Sequence, residues 1–208
     1  MSSDELETRT KILEATRRLL EERRGRDVRM RDIADAAGVS RQAVYDHFGS
    51  RAKLLVETTH YVDEVTGLEE RRRRFREATG GVERLEAYVE FWGNYIPEVY
   101  GMARALLAAR ETDEGAAAAW EDRMGAVRES CRLTIEALDR DGMLASRWSR
   151  DEAVDLMWTM LSIRNWELLI IECGWSQERY VGQMQELLKR ALVQGPERGS
   201  RRSGRVRG

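Results

Sequence analysis

Apolar positions along the chain recur every three to four residues, the period of helices packed on one face. Over residues 4–22, Ile12, Thr16, Leu19 and Leu20 share a face while Arg9, Arg17 and Arg18 lie on others, which predicts a first helix ended by Gly25. A second helix is predicted over residues 30–37 and stops at Gly38, because glycine readily takes the positive φ of a helix end. A third over residues 41–48 has Ser40 as its N-cap and Gly49-Ser50 as its end. From Arg51 a long connector carries Leu54, Leu55, Thr58, Tyr61, Val62 and Val65 on one stripe. Further helices are expected over residues 82–96, 98–109, 114–139, 150–173 and 177–193, with Pro97, Gly142 and Gly174 as punctuation. No strand pattern is present, and the predicted class is all-α.

Composition sharpens the picture only when it is divided. Residues 1–53 hold 12 basic and 10 acidic side chains, net +2, and residues 54–194 hold 18 and 26, net −8. Residues 195–208 hold 5 and 1, net +4. An acidic body is a poor partner for a polyanion, so any nucleic-acid contact belongs to the basic ends. The arginines at 71–74 with Arg76 read as a solvated helix end beside Glu69 and Glu70. Cys131, Cys173, His47 and His60 stand at no metal-ligand spacing, so no metal, disulfide or other cofactor is expected. No signal-like N-terminus is visible, and the apolar stretch 157–171 is interrupted by Arg164, Asn165 and Glu167. The expectation is a cytoplasmic protein with no membrane partner. An enzyme is disfavoured, because the chain lacks a Gly-rich phosphate loop and a nucleophile paired with a base.

Helix, short glycine turn and capped helix over residues 30–48 form a helix-turn-helix pattern. Ile33, Ala34, Ala37, Val39 and Val44 supply small apolar residues for a close crossing, leaving Arg41, Gln42 and Tyr45 outward. Arg reads guanine O6/N7, Gln reads adenine N6/N7, and Ser40, His47, Arg51 and Lys53 offer donors where phosphates would lie. A helical hairpin with solvated polar residues has the same pattern.

Thr10-Lys11-Ile12-Leu13-Glu14-Ala15, Arg31-Asp32-Ile33-Ala34, Ala37-Gly38-Val39-Ser40 and the run from Val44-Tyr45-Asp46-His47-Phe48 to Leu55 resemble the signature of TetR transcriptional regulators. The resemblance spans residues 8–56 without a gap. It implies a homodimeric regulator that binds double-stranded palindromic operator DNA, a repressor released from that operator by a lipophilic small-molecule effector, with an activator of the same fold as an alternative. It also implies DNA contacts from Arg29, Arg31, Ser40, Arg41, Gln42, Ala43, Tyr45, His47, Arg51 and Lys53. A helix-turn-helix adaptor that binds protein is the alternative. Two departures stand out. Val28 and Arg29 replace the hydroxyl cap usual before the second helix, where Asp32 could cap instead. Asp46 on the recognition helix could accept from cytosine N4 or turn back to His47 or Arg31.

The expected organisation is a DNA-binding domain over 1–53, a ligand-binding and dimerisation domain over 54–194 and a disordered basic tail over 195–208. In the body, the aromatic and methionine stripes are either core or the wall of a lipophilic cavity. The candidate lining is His60, Tyr61, Trp92, Tyr95, Met124, Cys131, Met157 and Met160. Arg164 and Asn165 are the polar groups in need of a partner: Glu167, a backbone carbonyl or a ligand. The helix over 150–173 is apolar almost all round, whereas the last helix has one stripe. By resemblance they pair with their symmetry mates, through Leu161, Leu168, Tyr180, Met184, Leu187, Leu188 and Leu192.

Overall fold

In α1 (Ser3–Glu22), one face buries Ile12, Leu13, Ala15, Thr16, Leu19 and Leu20, as the period of the sequence requires. The computed structural model describes residues 3–23 and 27–194. Gly25 and the basic tail at 195–208 lie outside the described residues. Helices α2 (Met30–Ala37) and α3 (Arg41–Phe48) begin and end where their caps predict. Between them Gly38 takes φ 69°, and its N–H reaches the carbonyls of Ala34 and Asp35; a side chain there would be strained. The missing hydroxyl cap of α2 is replaced from inside the helix. Asp32 Oδ2 accepts the Arg29 backbone N–H at 3.0 Å and Arg23 Nη1 at 3.0 Å, and both contacts hold its carboxyl below the usual range.

The connector α4 (Arg51–Val65) is capped by Ser50, whose side chain accepts from Lys53 N. Two short helices follow, α5 (Leu68–Arg71) and α6 (Arg73–Glu77). They carry the arginine run, and each arginine is paired: Arg71 with Glu98, Arg72 and Arg76 with Glu69, Arg73 with Glu70, and Arg74 with Glu90.

Helix α7 runs from Gly81 to Ala109, straight through Pro97. The sequence predicts a break there, because proline lacks the N–H that its fourth preceding residue needs. The break is avoided by a side chain from elsewhere: Gln177 Nε2 donates to the orphaned Gly93 carbonyl at 2.6 Å. Gln177 Oε1 in turn accepts from Trp166 Nε1 at 3.0 Å.

Helix α8 (Glu114–Arg140) packs along α4 and α7. The expected helix over 150–173 is instead three pieces: α9 (Arg150–Met160), α10 (Ile163–Glu167) and a π-helical turn (Leu168–Glu172). Ser162 causes the division by capping α10, its side chain accepting from Asn165 N. Side-chain donors gather on the carbonyls at the break. Trp92 Nε1 donates to Leu161 O at 2.8 Å, and Asn165 Nδ2 to Thr159 O at 2.7 Å. Asn165 thus answers to a backbone carbonyl. The last helix, α11 (Gln177–Leu192), lies on α7 and ends near an isolated bridge between Leu144 and Val193.

Among the described residues no strand forms, and no helix is long and apolar enough to cross a membrane. Two buried clusters fill the interior. One joins α1–α4 to the end of α7 and the start of α8, through Met102, Ala105, Leu106, Ala109, Ala116 and Ala119. The other lies among α6–α11.

Replacing Gln177 by Leu leaves the Gly93 carbonyl and the Trp166 indole N–H unpaired, a loss of about 1–3 kcal/mol in urea unfolding. Pro97→Ala in the same background restores an N–H for Gly93 and recovers part of that loss. Equal stability of Gln177→Leu and wild type would show that α7 does not depend on this contact.

Candidate functional site

Two regions gather the candidate residues. The first is an open groove of about 760 Å³ between α2–α3 and the turn joining α7 to α8, lined by Arg29, Arg31, Arg41, Tyr45 and Arg51 with Asp27 and Asp113. Arg29, Arg31 and Arg41 are exposed, and the Arg41 guanidinium lies 5.5 Å over the Tyr45 ring, a cation–π stack. Gln42 and Asp46 are exposed on the same helix, and Gln42 Nε2 donates to Asp46 Oδ1 at 2.8 Å. The Asp46 carboxylate therefore points at Gln42 rather than His47 or Arg31. Ser40 Oγ is spent on the Ala43 N–H at 3.0 Å, which fixes the start of α3. Ala43 and His47 are half-buried, and Lys53 is exposed, 3.8 Å from Glu57.

Arg51 has a partner inside the protein. Its Nε donates to Asp113 Oδ2 at 2.8 Å, and its Nη1 is buried without a partner. Asp113 also caps α8, accepting the Gly115 and Ala116 N–H groups. Arg51 is thus a tie between connector and body. The approach is close: a Cβ on Gly115 would come within 3.1 Å of Ala52 Cα and Leu55 Cδ1.

The second region is a cavity of about 100 Å³ walled by α4, α7 and α8 and covered by α5–α6. Trp92, Tyr95 and Met124 line it, as the sequence suggests, together with Phe75, Tyr88, Phe91 and Trp120. A side lobe of about 240 Å³ shares Trp92, Trp120, Met124, Val127 and Ile163 with it and is bounded by Arg164. Arg164 is exposed.

The other candidates stand elsewhere. The face of α4 turned to the cavity carries Thr59, Val62 and Asp63. His60 is exposed at the rim, 3.3 Å from Asp122, and Tyr61 is hydrogen-bonded to Glu14 of α1. Cys131 is buried in the core, where desolvation pushes its thiol up to about 12. Met157 is buried, and neither it nor Met160 lines the cavity or its side lobe, to which α9 contributes Trp158 and Thr159 instead. Asn165 is occupied at the helix break.

Sequence reasoning missed the polar wall. Tyr95 donates from its hydroxyl to Asp63 Oδ1 at 2.8 Å, and Arg123 pairs with Asp63 Oδ2. Burial, more than the nearby Asp63 charge, raises the Tyr95 phenol, so it remains a neutral donor. Asp63 was legible as the one carboxylate in phase with Thr59 and Val62; Arg123, on a helix rich in exposed charge, carried no such signal.

The residues expected at a subunit interface divide by exposure. Leu161, Tyr180, Met184, Leu188 and Leu192 are buried inside the protomer. The α11 stripe to which the last four belong faces the protomer's own core, and a periodic stripe does not say which neighbour it meets. Leu168 and Leu187 are exposed, as is Ile171, which the sequence reading did not single out.

The family model for bacterial regulatory proteins of the tetR family matches residues 12–58, from within α1 to Thr58 of the connector. The nucleoid occlusion factor SlmA of Marinomonas sp. (strain MWYL1) is 31% identical over 109 residues, covering 52% of this chain and about half, 54%, of that protein. The HTH-type transcriptional regulator CymR of Pseudomonas putida is 26% identical over 185 residues, 84% of this chain and 83% of its own length. The structure resembles that of NalD, the secondary repressor of the MexAB-OprM multidrug efflux pump in Pseudomonas aeruginosa, with a TM-score of 0.66 at 21% identity, over 92% of this chain and 98% of that one.

The tie between Arg51 and Asp113 is measurable by a double-mutant cycle. Arg51→Met and Asp113→Ala should each lower the urea midpoint, and together lose less than their sum, with a coupling of about 0.5–3 kcal/mol. Strict additivity would mean that the two ends of this contact do not hold each other.

Proposed function

Since the chain belongs to the tetR family of bacterial regulatory proteins, we propose that it represses transcription from a palindromic operator and leaves that operator when a small molecule occupies the cavity under α5–α6. The single observation carrying this reading is the set of exposed Arg29, Arg31 and Arg41 with half-buried Tyr45, presented on a capped helix-turn-helix at the groove beside the connector. These residues combine bidentate base donors with phosphate-reaching charge, within the part of the chain that is net basic.

The DNA-reading unit corresponds to residues 1–53, and residues 54–194 bind effector and partner, in the cytoplasm where the operator lies. The connector α4 supplies both the Ser50-capped turn after the recognition helix and the Thr59, Val62 and Asp63 wall of the cavity. A ligand that favours one tilt of α4 therefore shifts the recognition helix. A tenfold change in operator affinity requires about 1.4 kcal/mol of preference between the two tilts. A second copy packs against the exposed Leu168, Ile171 and Leu187, and a palindromic operator read in successive major grooves requires the two recognition helices about 34–36 Å apart, one turn of DNA.

Selection of bound fragments from genomic DNA tests the reading. An inverted repeat should emerge, bound by wild type and at least about tenfold more weakly by Arg41→Ala and Tyr45→Ala, with affinity falling steeply as salt rises. Recovery of no sequence preference, or full affinity in both variants, would remove the operator reading in favour of a protein-binding adaptor.

The dimer is tested separately by sedimentation. Ile171→Glu with Leu187→Glu should give folded monomers, whereas charge at Leu188 and Leu192 should unfold the protomer by entering its own core. A stable dimer in the first variant would put the interface on another face.

A further inference from the structure

The polar atoms of the cavity wall are almost all satisfied within the protein. Both Asp63 oxygens are taken, by Tyr95 and Arg123. Trp92 Nε1 donates to Leu161 O, Tyr88 OH to Val127 O, and Ser130 Oγ to Ala126 O. Among the described lining residues, the buried side-chain polar atom left over is a donor, Arg72 Nε. A buried donor without an acceptor is unfavourable even on a guanidinium whose other side is paired, so an occupant that supplies an acceptor relieves it.

Charge points the same way. Arg72 and Arg123 face the cavity against the single carboxylate Asp63. Arg123 is neutralised by Asp63 and Asp122, whereas the partner of Arg72 is Glu69, 2.6 Å away and mostly in solvent. Water screens that pair from outside and leaves the cavity side of the guanidinium positive. A cationic ligand would find no free carboxylate here. The remaining wall is aromatic and aliphatic, and the cavity with its side lobe has room for one ring and a short tail.

We infer that the effector is a small hydrophobic acid, a monoanion whose carboxylate oxygen accepts from Arg72 Nε while its apolar body lies among Phe91, Trp92, Trp120 and Met124. This rests on the reading of the cavity as the effector site. Arg72 joins α5 to α6, the cover held to α7 by the exposed pairs Arg71–Glu98 and Arg74–Glu90. Beneath these pairs Phe75 of α6 is buried against the Tyr88 ring of α7, which anchors the cover from inside. An acid bound at Arg72 then fastens it against α4 and α7.

Three matched probes test this: 4-butylbenzoate, its neutral amide 4-butylbenzamide, and 4-butylbenzylammonium, followed by tryptophan fluorescence. The acid should bind wild type about tenfold or more tighter than the amide, with the ammonium weakest. In Arg72→Met the acid should fall to the level of the amide while the amide keeps its affinity; Arg72→Gln serves if the first variant melts early. Glu69→Gln, which removes only the solvent-side partner, should keep or increase the preference for the acid. Equal binding of acid and amide, tighter binding of the ammonium, or a preference that survives the loss of Arg72 would overturn the inference and leave the cavity as an effector site. Failure of all three probes to change the fluorescence or release operator DNA at millimolar concentration would remove the cavity reading and the inference together.

Discussion

Buried main-chain carbonyls must be hydrogen-bonded, and in this body the helix breaks decide where donors are required. Pro97 frees Gly93 O, which takes Gln177; the gap between α9 and α10 frees Leu161 O, which takes Trp92, while Asn165 adds a second donor to Thr159 O beside the Ser162 N–H. The end of α11 follows the same rule, with Trp148 Nε1 donating to Ala191 O at 2.8 Å and Arg147 Nη2 at 2.6 Å. These contacts join segments far apart in sequence. They place α11 on α7 and hold Trp92 as a fixed wall rather than a mobile side chain. The cavity therefore owes its shape to polar contacts made behind it as well as to apolar packing in front.

The same economy links the two ends of the molecule. The cluster around α1–α4 is completed by Met102, Leu106, Ala116 and Ala119 from the body, so the DNA-reading unit is not packed by its own residues alone. Arg51 and Asp113 close the seam from the polar side, and Gly115 permits the backbones to approach. Interiors packed this way shift between discrete arrangements rather than deform smoothly. A wedge between α4 and α8 thus has a direct mechanical route to α3, through one helix and one ion pair.

The helix-turn-helix was legible to the residue, because caps, glycine turn and apolar spacing are local and agree with one another. Ser40, Gly38 and Ser50 act through neighbours within four positions. Legibility fell where the deciding partner was distant. Pro97 reads as a stop until Gln177, eighty residues later, supplies the missing donor. The apolar run over 150–173 reads as one helix until Ser162 caps its second half and Trp92 and Asn165 donate to the carbonyls at the break. Met157, Cys131 and Tyr61 carry the right chemistry for a cavity, but helix phase turns each of them elsewhere.

By itself the sequence determined the all-helical class, the bounds of α2 and α3, the polar face of the recognition helix and the division of charge between ends and body. Each of these follows from residue type and short-range period. Tertiary structure alone decided which side of α11 meets its own core, why Leu168, Ile171 and Leu187 remain uncovered, and that Asp63, Arg72 and Arg123 rather than Asn165 face the cavity. The physical reason is that an amphipathic stripe specifies burial but not the neighbour that provides it. A polar side chain likewise declares its need for a partner, while only the fold says whether that partner is already present.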